Sequence, residues 1–154
     1  MAFPSAFLVI TLSLFISATM PSSEALRVNN MPIGSIRTGG TIVCADASIA
    51  TARTYRPIPR APIQLLCGSG STDVVLSQGL TNLSGVYFFV LTVADTLLID
   101  PNRCYLRVTI PPNTCTLSIP NGFLRIPLVV LDVVQATLGN VLLFGQGPYS
   151  YVPY

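Results

Sequence analysis

The sequence predicts an all-β protein, a small antiparallel Greek-key barrel or sandwich of about seven strands that two disulfides hold together. Three observations lead to this prediction. Short runs of β-branched and aromatic residues are separated by turns of Gly, Pro and Asn at regular intervals. No helical repeat of 3.6 residues is sustained after residue 25. The chain of 154 residues also contains four cysteines, an even number that is typical of disulfide-linked secreted domains.

The first 25 residues predict a secretory signal peptide. The stretch from Ala6 to Ile16 is apolar and uncharged, but it is shorter than the roughly 20 residues that a membrane-spanning helix needs. The small residues Ser23 and Ala25 then favour cleavage after Ala25. A membrane anchor is the alternative, but no basic flank follows the apolar stretch. We therefore expect a secreted, extracellular protein.

Cleavage leaves 129 residues, which is enough for one domain with a single core. We expect an N-terminal leader over 26–34, the β-barrel domain over 35–145 and a Tyr/Pro-rich C-terminal tail over 146–154. No run of the mature chain predicts a transmembrane segment. Strands are predicted over 35–44, 63–67, 72–81, 86–92, 104–110, 124–131, 133–138 and 141–144. Pro127 and a turn at Gly139-Asn140 are expected to separate the last of them.

Local patterns justify these strands. Residues 86–92 are aromatic and β-branched and directly follow a turn at 82–85, which favours a strand. Residues 104–110 alternate in polarity, and one set is expected to face the core: Cys104, Leu106, Val108 and Ile110. The other set is expected to face outward: Tyr105, Arg107 and Thr109. Gly39-Gly40 predicts a bulge in the first strand, and the proline-rich stretch 46–62 predicts a loop.

Charge is sparse in this chain. Charged residues make up 9% of the sequence, against about 25% in an average soluble domain. All eight basic residues are arginines, and five aspartates in the mature chain leave a net charge of +3. Nucleic acid is therefore not an expected partner, since it calls for a dense basic patch. The mean hydropathy of +0.65 predicts an apolar surface that favours self-association.

The four cysteines are predicted to form two disulfides. They are separated by 23, 37 and 11 residues, and the spacing leaves three pairings open. The spacing matches no compact zinc pattern and the chain has no histidine, so neither a metal site nor a cofactor is expected. A catalytic thiol would lack a histidine base. The cysteines are Cys44, Cys67, Cys104 and Cys115.

Four stretches together carry a resemblance to a known family. They are Gly40-Thr41-Ile42-Val43-Cys44, Ala61-Pro62-Ile63-Gln64-Leu65-Leu66-Cys67-Gly68, Leu80-Thr81-Asn82-Leu83-Ser84-Gly85-Val86-Tyr87-Phe88, and Cys104-Tyr105-Leu106 leading to Asn113-Thr114-Cys115. In this order they resemble the olive-pollen-allergen and extensin-like family of plant extracellular proteins, and within it the phylloplanin-like members. The resemblance covers roughly residues 35–144.

This resemblance implies a small secreted β-barrel with Greek-key character. It implies pairing of the first cysteine with the last, Cys44–Cys115, and of the inner two, Cys67–Cys104. Pollen members carry six cysteines, so their third disulfide is absent here. The resemblance also implies inhibition of spore germination by microbial leaf pathogens, and residence in the apoplast, the cell wall or on the leaf surface.

Two surface sites are candidates for modification or binding. Asn82-Leu83-Ser84 is an N-glycosylation acceptor in an expected exposed turn, or a residue that simply forms that turn. Arg53, Arg56 and Arg60 form a basic loop that is expected either to bind an anionic polymer such as pectin, or microbial membrane lipid, or to be a solvated loop.

The C-terminal tail is a candidate for cross-linking. Tyr149, Tyr151 and Tyr154 resemble the Tyr-x-Tyr sites at which extensins are oxidatively linked in cell walls. The alternative is an untethered terminus, which is common for the last residues of a domain.

Catalysis is not expected. The chain has no histidine, so Ser-His-Asp and Cys-His arrangements are impossible. A two-carboxylate hydrolase is conceivable, but the five aspartates of the mature chain lie beside predicted turns, where Asp bonds locally. Together with this expectation, the resemblance implies a non-enzymatic defence protein that contacts a microbial surface or plant cell-wall polysaccharide. The alternative is a structural cell-wall protein bound to polysaccharide or cross-linked through tyrosine.

Overall fold

A computed structural model describes residues 26–46, 54–69, 71–92, 100–115 and 122–154. The expected signal peptide, 1–25, lies outside the described residues. The described part is mostly β-strand, with one short 3-10 helix at Pro101–Arg103. Its strands are β1 (Arg27–Val28), β2 (Met31–Thr41), β3 (Val43–Asp46), β4 (Thr54–Pro57), β5 (Pro62–Ser69), β6 (Thr72–Leu80), β7 (Val86–Thr92), β8 (Cys104–Val108), β9 (Gly122–Ala136), β10 (Gly139–Gln146) and β11 (Ser150–Pro153).

The strands form one large sheet and one small sheet. The large sheet has the order β1-β2-β10-β9-β8-β5-β6, with β7 also paired to β2 and β11 also paired to β9. Strands β3 and β4 form a separate pair. No pairing between described strands closes the large sheet into a barrel.

Two expectations about the sheet were wrong. The sheet is not wholly antiparallel, because β2 and β10 run parallel. There are also more than seven strands in the described residues, since β1, β4 and β11 lie in the expected leader, loop and tail. These strands have only two to four residues, which is too short for an alternating pattern to be recognised.

Strand β9 is long and joins the two halves of the sheet. Its first part pairs with β8 and β11, and its second part pairs with β10. The expected break at Pro127 does not occur. Pro127 lies between the β11 pairing, which ends at Arg125, and the β10 pairing, which begins at Leu128, where a missing N–H interrupts least. The turn to β10 lies at residues 137–138, two residues before the expected position.

The core lies under the inner faces of both halves of the sheet. Strand β7 has the predicted bounds and alternates between exposed and buried residues, and Tyr87, Phe89 and Leu91 are buried. Strand β8 alternates as predicted up to Val108, although Ile110 is only half-buried. Further fully buried side chains come from both halves and, at Ile42 and Ile58, from positions between strands. They are Ile36, Ile42, Ile58, Ile63, Leu65, Leu106, Ile126 and Leu142.

The turn between β6 and β7 also contacts the end of β2. The Asn82 side-chain oxygen accepts hydrogen bonds from the backbone N–H groups of Ser84 and Val86, both at 2.9 Å. Gly85 has φ +73°, and a Cβ there would lie 2.8 Å from the Ile42 carbonyl oxygen, so only glycine fits. The Ile42 N–H donates to the Gly85 carbonyl at 2.8 Å, which ties the end of β2 to the turn.

The first and last described segments both belong to the sheet. The Leu26 carbonyl accepts from the Ile33 N–H at 2.8 Å, and Leu26 is buried. The stretch 26–34 thus contains β1 and the start of β2. At the other end, β11 pairs with β9, and the Tyr149 hydroxyl donates to the Thr41 carbonyl at 3.1 Å.

Candidate functional site

A row of polar side chains crosses the outer face of one half of the sheet. The strand registers place these residues opposite one another, from β6 through β5, β8 and β9 to β11. With adjacent strands about 4.8 Å apart, the row is roughly 19 Å long. The row, called the arginine row below, consists of Gln78, Gln64, Arg107, Arg125 and Ser150.

The two arginines at the centre of the row are stacked on aromatic rings. The Arg107 guanidinium carbon lies 4.3 Å from the centre of the Phe123 ring and 5.6 Å from that of Tyr154. The guanidinium carbon of Arg125 lies 4.2 Å from the centre of the Tyr105 ring. Cation–π stacking covers the flat faces of these guanidinium groups and holds them against the sheet. Their N–H donors lie in the guanidinium planes and remain able to bind an anion.

Arg107 and Arg125 are direct cross-strand partners. Like charges in this position destabilise a sheet unless something compensates them. In the described ranges, the ion pair at this end of the sheet joins Arg103 to Asp73 at 3.9 Å, and no carboxylate pairs with Arg107 or Arg125. Within the described strands, Arg107 and Arg125 are therefore two adjacent cations that no described carboxylate pairs with.

An open pocket of about 630 Å³ adjoins the arginine row. Arg107 lines the pocket and belongs to the row. Beside Arg107, the Gln64 amide donates to the Gln78 side-chain oxygen at 3.4 Å. The pocket therefore offers one cation, two amides and apolar surface. It is lined by Pro62, Ile63, Gln64, Gln78, Gly79, Leu80, Arg107 and Thr109.

Tyr105 is held at the edge of this face by an acidic neighbour. Its hydroxyl donates to an Asp73 carboxylate oxygen at 3.0 Å. Burial raises the pKa of Tyr105, and the Asp73 hydrogen bond raises it further, so the phenol stays protonated at neutral pH. The ring under Arg125 is thus fixed from its far end.

The arginines predicted as a polyanion site lie elsewhere. Arg53 falls outside the described residues. Arg56 is exposed on β4, opposite Cys44, and Arg60 is exposed in the turn after β4. Neither residue belongs to the strands that carry the arginine row.

The inner cysteines form the disulfide that the resemblance implies. Cys67 and Cys104 face each other on β5 and β8, with Cα atoms 4.0 Å apart, and are bonded. Both are buried in the core, with exposed fractions of 1% and 3%.

The outer cysteines are also brought together, as the resemblance implies. The side chains of Cys44 and Cys115 are in hydrogen-bond contact, and the Cys44 thiol also lies 3.6 Å from the Arg56 carbonyl oxygen and 3.8 Å from that of Thr114. The two cysteines of the expected second disulfide are therefore neighbours, and the Cys44–Cys115 bond stays a prediction. Burial, followed by contact with Cys44, raises the pKa of Cys115 to about 12.

The three tail tyrosines differ in accessibility. The Tyr149 hydroxyl is bonded to the Thr41 carbonyl, and burial raises the pKa of this residue. Tyr151 lies over Gly122 of β9 and is 44% exposed. Tyr154 is 72% exposed and packs at a tilt against Phe123, with ring centres 5.8 Å apart. Cross-linking through these residues stays a prediction, and Tyr154 is the best placed of the three.

Asn82 lies in an exposed turn, as expected, and its neighbour Leu83 is 75% exposed. Its side-chain oxygen forms the turn while no hydrogen bond of the described residues uses its amide nitrogen, the atom that carries an N-glycan. Turn formation and glycosylation are therefore compatible, and glycosylation of Asn82 stays a prediction.

The described aspartates do not converge. Asp100 accepts from the Asn102 N–H and begins the short 3-10 helix, Asp132 bonds the Val133 N–H, and Asp73 binds Tyr105. In the ranges that the structure describes, no three metal-binding side chains are grouped together. Among the same residues, no helix is long and apolar enough to span a membrane.

Sequence reasoning missed the arginine row. The alternation of β8 predicted that Arg107 faces outward, and the same alternation around Leu124 and Ile126 applies to Arg125. The alternation could not predict the register that sets these two side chains opposite each other, because register depends on pairing between distant strands.

The fold and its site define a disulfide-linked all-β protein with a cationic, aromatic outer face. The chain belongs to the Phylloplanin family, described as phylloplanin antifungal protein, whose family model matches residues 32–152. The match confirms the phylloplanin-like part of the resemblance, and membership of the wider olive-pollen-allergen and extensin-like family stays a prediction. No curated protein and no solved structure matches the chain. The matched residues run from β2 to β11 and include the whole arginine row.

Proposed function

We propose that this protein is a secreted plant-surface protein that inhibits the germination of fungal or oomycete spores without catalysis. The observation that carries the proposal is the match to an antifungal family over residues 32–152. The family also supports residence on the leaf surface, which agrees with the expected signal peptide.

An apolar outer face supports action at a surface. On the half of the sheet that does not carry the arginine row, Phe88 and Leu131 are each 65% exposed. Phe88 lies over Gly39 and Leu131 over Gly145, so both side chains lie flat on the sheet. Exposed apolar patches of this kind favour adsorption or self-association.

The two halves of the sheet thus present different chemistry to their surroundings. One half offers apolar side chains and the other offers arginines, tyrosines and amides. A protein built this way acts by binding, and microbial surfaces or plant cell-wall polysaccharides are the partners that we propose for it.

Spore germination tests the proposal. The secreted chain, purified with its disulfides intact, is expected to reduce germination in a dose-dependent manner. The matched control is the same protein after reduction and alkylation, which keeps the composition and charge but loses the fold. Equal germination with and without the folded protein, at every soluble concentration, would contradict the proposal.

The alternative is a structural cell-wall protein linked through tyrosine. The exposure of Tyr154 is the observation that favours it. Peroxidase treatment should then yield dityrosine. The Tyr154→Phe variant should yield much less dityrosine than the Tyr149→Phe variant. Tissue extraction separates the two functions, because a surface-deposited defence protein leaves in a brief water wash and a linked wall protein does not.

A further inference from the structure

We infer that the arginine row is a binding site for a polyuronate, a polysaccharide chain of uronic acid units. The inference deepens the proposed function, on which it rests for the extracellular setting, by naming a ligand and the residues that hold it. The site is distinct from the basic loop at Arg53, Arg56 and Arg60.

The first step is electrostatic. Arg107 and Arg125 are opposite each other on adjacent strands, about 5 Å apart at their backbones, and no carboxylate in the described part of the chain neutralises them. An arrangement that costs stability in the free protein is compensated when an anion bridges both groups. Carboxylates suit guanidinium groups because two parallel N–H···O bonds form in one plane.

The second step concerns preorganisation. Each guanidinium is already held on an aromatic ring, Arg107 on Phe123 and Arg125 on Tyr105. Tyr105 is itself anchored to Asp73. Binding therefore needs less ordering of these long side chains, whose rotamer freedom is normally a large cost of association.

The third step is shape. The row crosses five strands on an open sheet face, which suits an extended polymer rather than a small compact ligand. Gln64 and Gln78 continue it on one side of the arginines, and Ser150 on the other, and these groups can bond sugar hydroxyls. The pocket that shares Arg107 gives room for a ring at one end of the row.

The sparse charge argues against other anionic polymers. Acidic lipid surfaces attract clusters of four to eight basic residues, and nucleic acids a dense basic patch. Two arginines among amides and aromatic rings match a carbohydrate whose charge is carried on separate sugar units.

Two double variants test the inference. Arg107→Gln/Arg125→Gln removes the site, and Arg56→Gln/Arg60→Gln removes the same net charge from exposed positions outside it. Retention and affinity are measured on polygalacturonate, with fully methyl-esterified pectin and a neutral glucan as ligand controls. The first variant should bind polygalacturonate at least tenfold more weakly, the second should bind it within about twofold of the unmodified protein, and neither control polymer should bind.

Three further arms sharpen the test. An Arg107→Lys/Arg125→Lys variant keeps the charge but loses the planar fork, so its affinity should fall between those of the unmodified and Gln variants. Circular dichroism and a thiol count check that each variant keeps the fold and the Cys67–Cys104 disulfide. Acidic phospholipid vesicles provide a competing surface.

Several results would overturn the inference. Two concern the variants: an equal loss of polygalacturonate affinity in both Gln double variants, or unchanged binding after Arg107 and Arg125 are replaced. Two concern the ligands: equal binding to the esterified polymer, or binding to vesicles but not to polygalacturonate. Polyuronate binding is measured without spores, so its failure is distinguishable from failure of the antifungal function, which the germination assay reports separately.

Discussion

At the scale of single residues, Thr81 shows how the motif that carries the family resemblance holds the chain. Its hydroxyl donates to the Ile58 carbonyl at 2.7 Å and accepts from the Ala61 N–H at 2.8 Å. The side chain is only 2% exposed, so water cannot replace these bonds. Thr81 thereby fastens the turn that carries Arg60 to the end of β6.

Replacing Thr81 by Val should destabilise the protein by about 1–3 kcal/mol. Valine has nearly the same shape but leaves the Ile58 carbonyl and the Ala61 N–H buried and unpaired. The matched control, Thr81→Ser, keeps the hydroxyl and loses one methyl group, so it should cost about 0.8 kcal/mol. Urea unfolding measures both changes. A valine variant more stable than the serine variant would show that the two bonds contribute little.

The residue scale was only partly predictable. The turn at 82–85 was expected from Asn and Gly, and the structure gives the reasons: an Asn82 side-chain bond and a positive φ at Gly85. The role of Thr81 was not expected, because its partners lie 20 and 23 residues away along the chain.

At the scale of elements, the Cys67–Cys104 disulfide fastens β5 to β8 at the end of the sheet that carries the arginine row. The pairing of β5 with β8, which sets Gln64 opposite Arg107, starts at this disulfide. The Cys44–Cys115 pair has a different task, since it connects the small β3–β4 sheet to the segment after β8.

Removing the inner disulfide with Cys67→Ala/Cys104→Ala should lower the free energy of unfolding by about 4 kcal/mol. The bond closes a loop with a sequence separation of 37, and its loss frees the unfolded chain. Chemical unfolding measures the change. The matched control is Cys44→Ser/Cys115→Ser, which removes the outer two cysteines instead.

The oxidation state of Cys44 and Cys115 can be measured independently of stability. We expect the natively secreted protein to contain no free thiol, because oxidation in the secretory route joins two neighbouring cysteines. Alkylation before and after reduction, followed by mass measurement, counts the thiols. Two alkylated groups in the unreduced protein would mean that Cys44 and Cys115 are thiols and would contradict this expectation.

At the scale of the whole molecule, the pH dependence of charge follows from which ionisable side chains the sequence contains. The chain has no histidine, and its basic residues are all arginines. The shifted groups of the described part are Tyr87, Tyr105, Tyr149 and Cys115, and burial is the first cause that raises each pKa.

Stability should therefore be nearly constant from about pH 5 to pH 9 and should fall above about pH 10. A tyrosine whose pKa is higher in the folded state contributes stability that is complete below the unfolded pKa and is lost as the pH rises through the folded pKa. Thermal unfolding at a series of pH values, together with tyrosinate absorbance, measures this. A loss of stability centred between pH 6 and pH 8 would contradict it, since the pKa values of all four shifted groups are raised.

What the sequence by itself determined is local. It determined the all-β class, the bounds of β7, the inward and outward faces of β8 and the turn at 82–85, because period-two alternation and turn chemistry act over a few neighbouring residues. Only the tertiary structure decided that β2 and β10 run parallel, that the chain ends add strands to the sheet, and that Arg107 stands opposite Arg125. These features depend on the pairing and register of strands far apart in the chain, which are set by the burial of one common core.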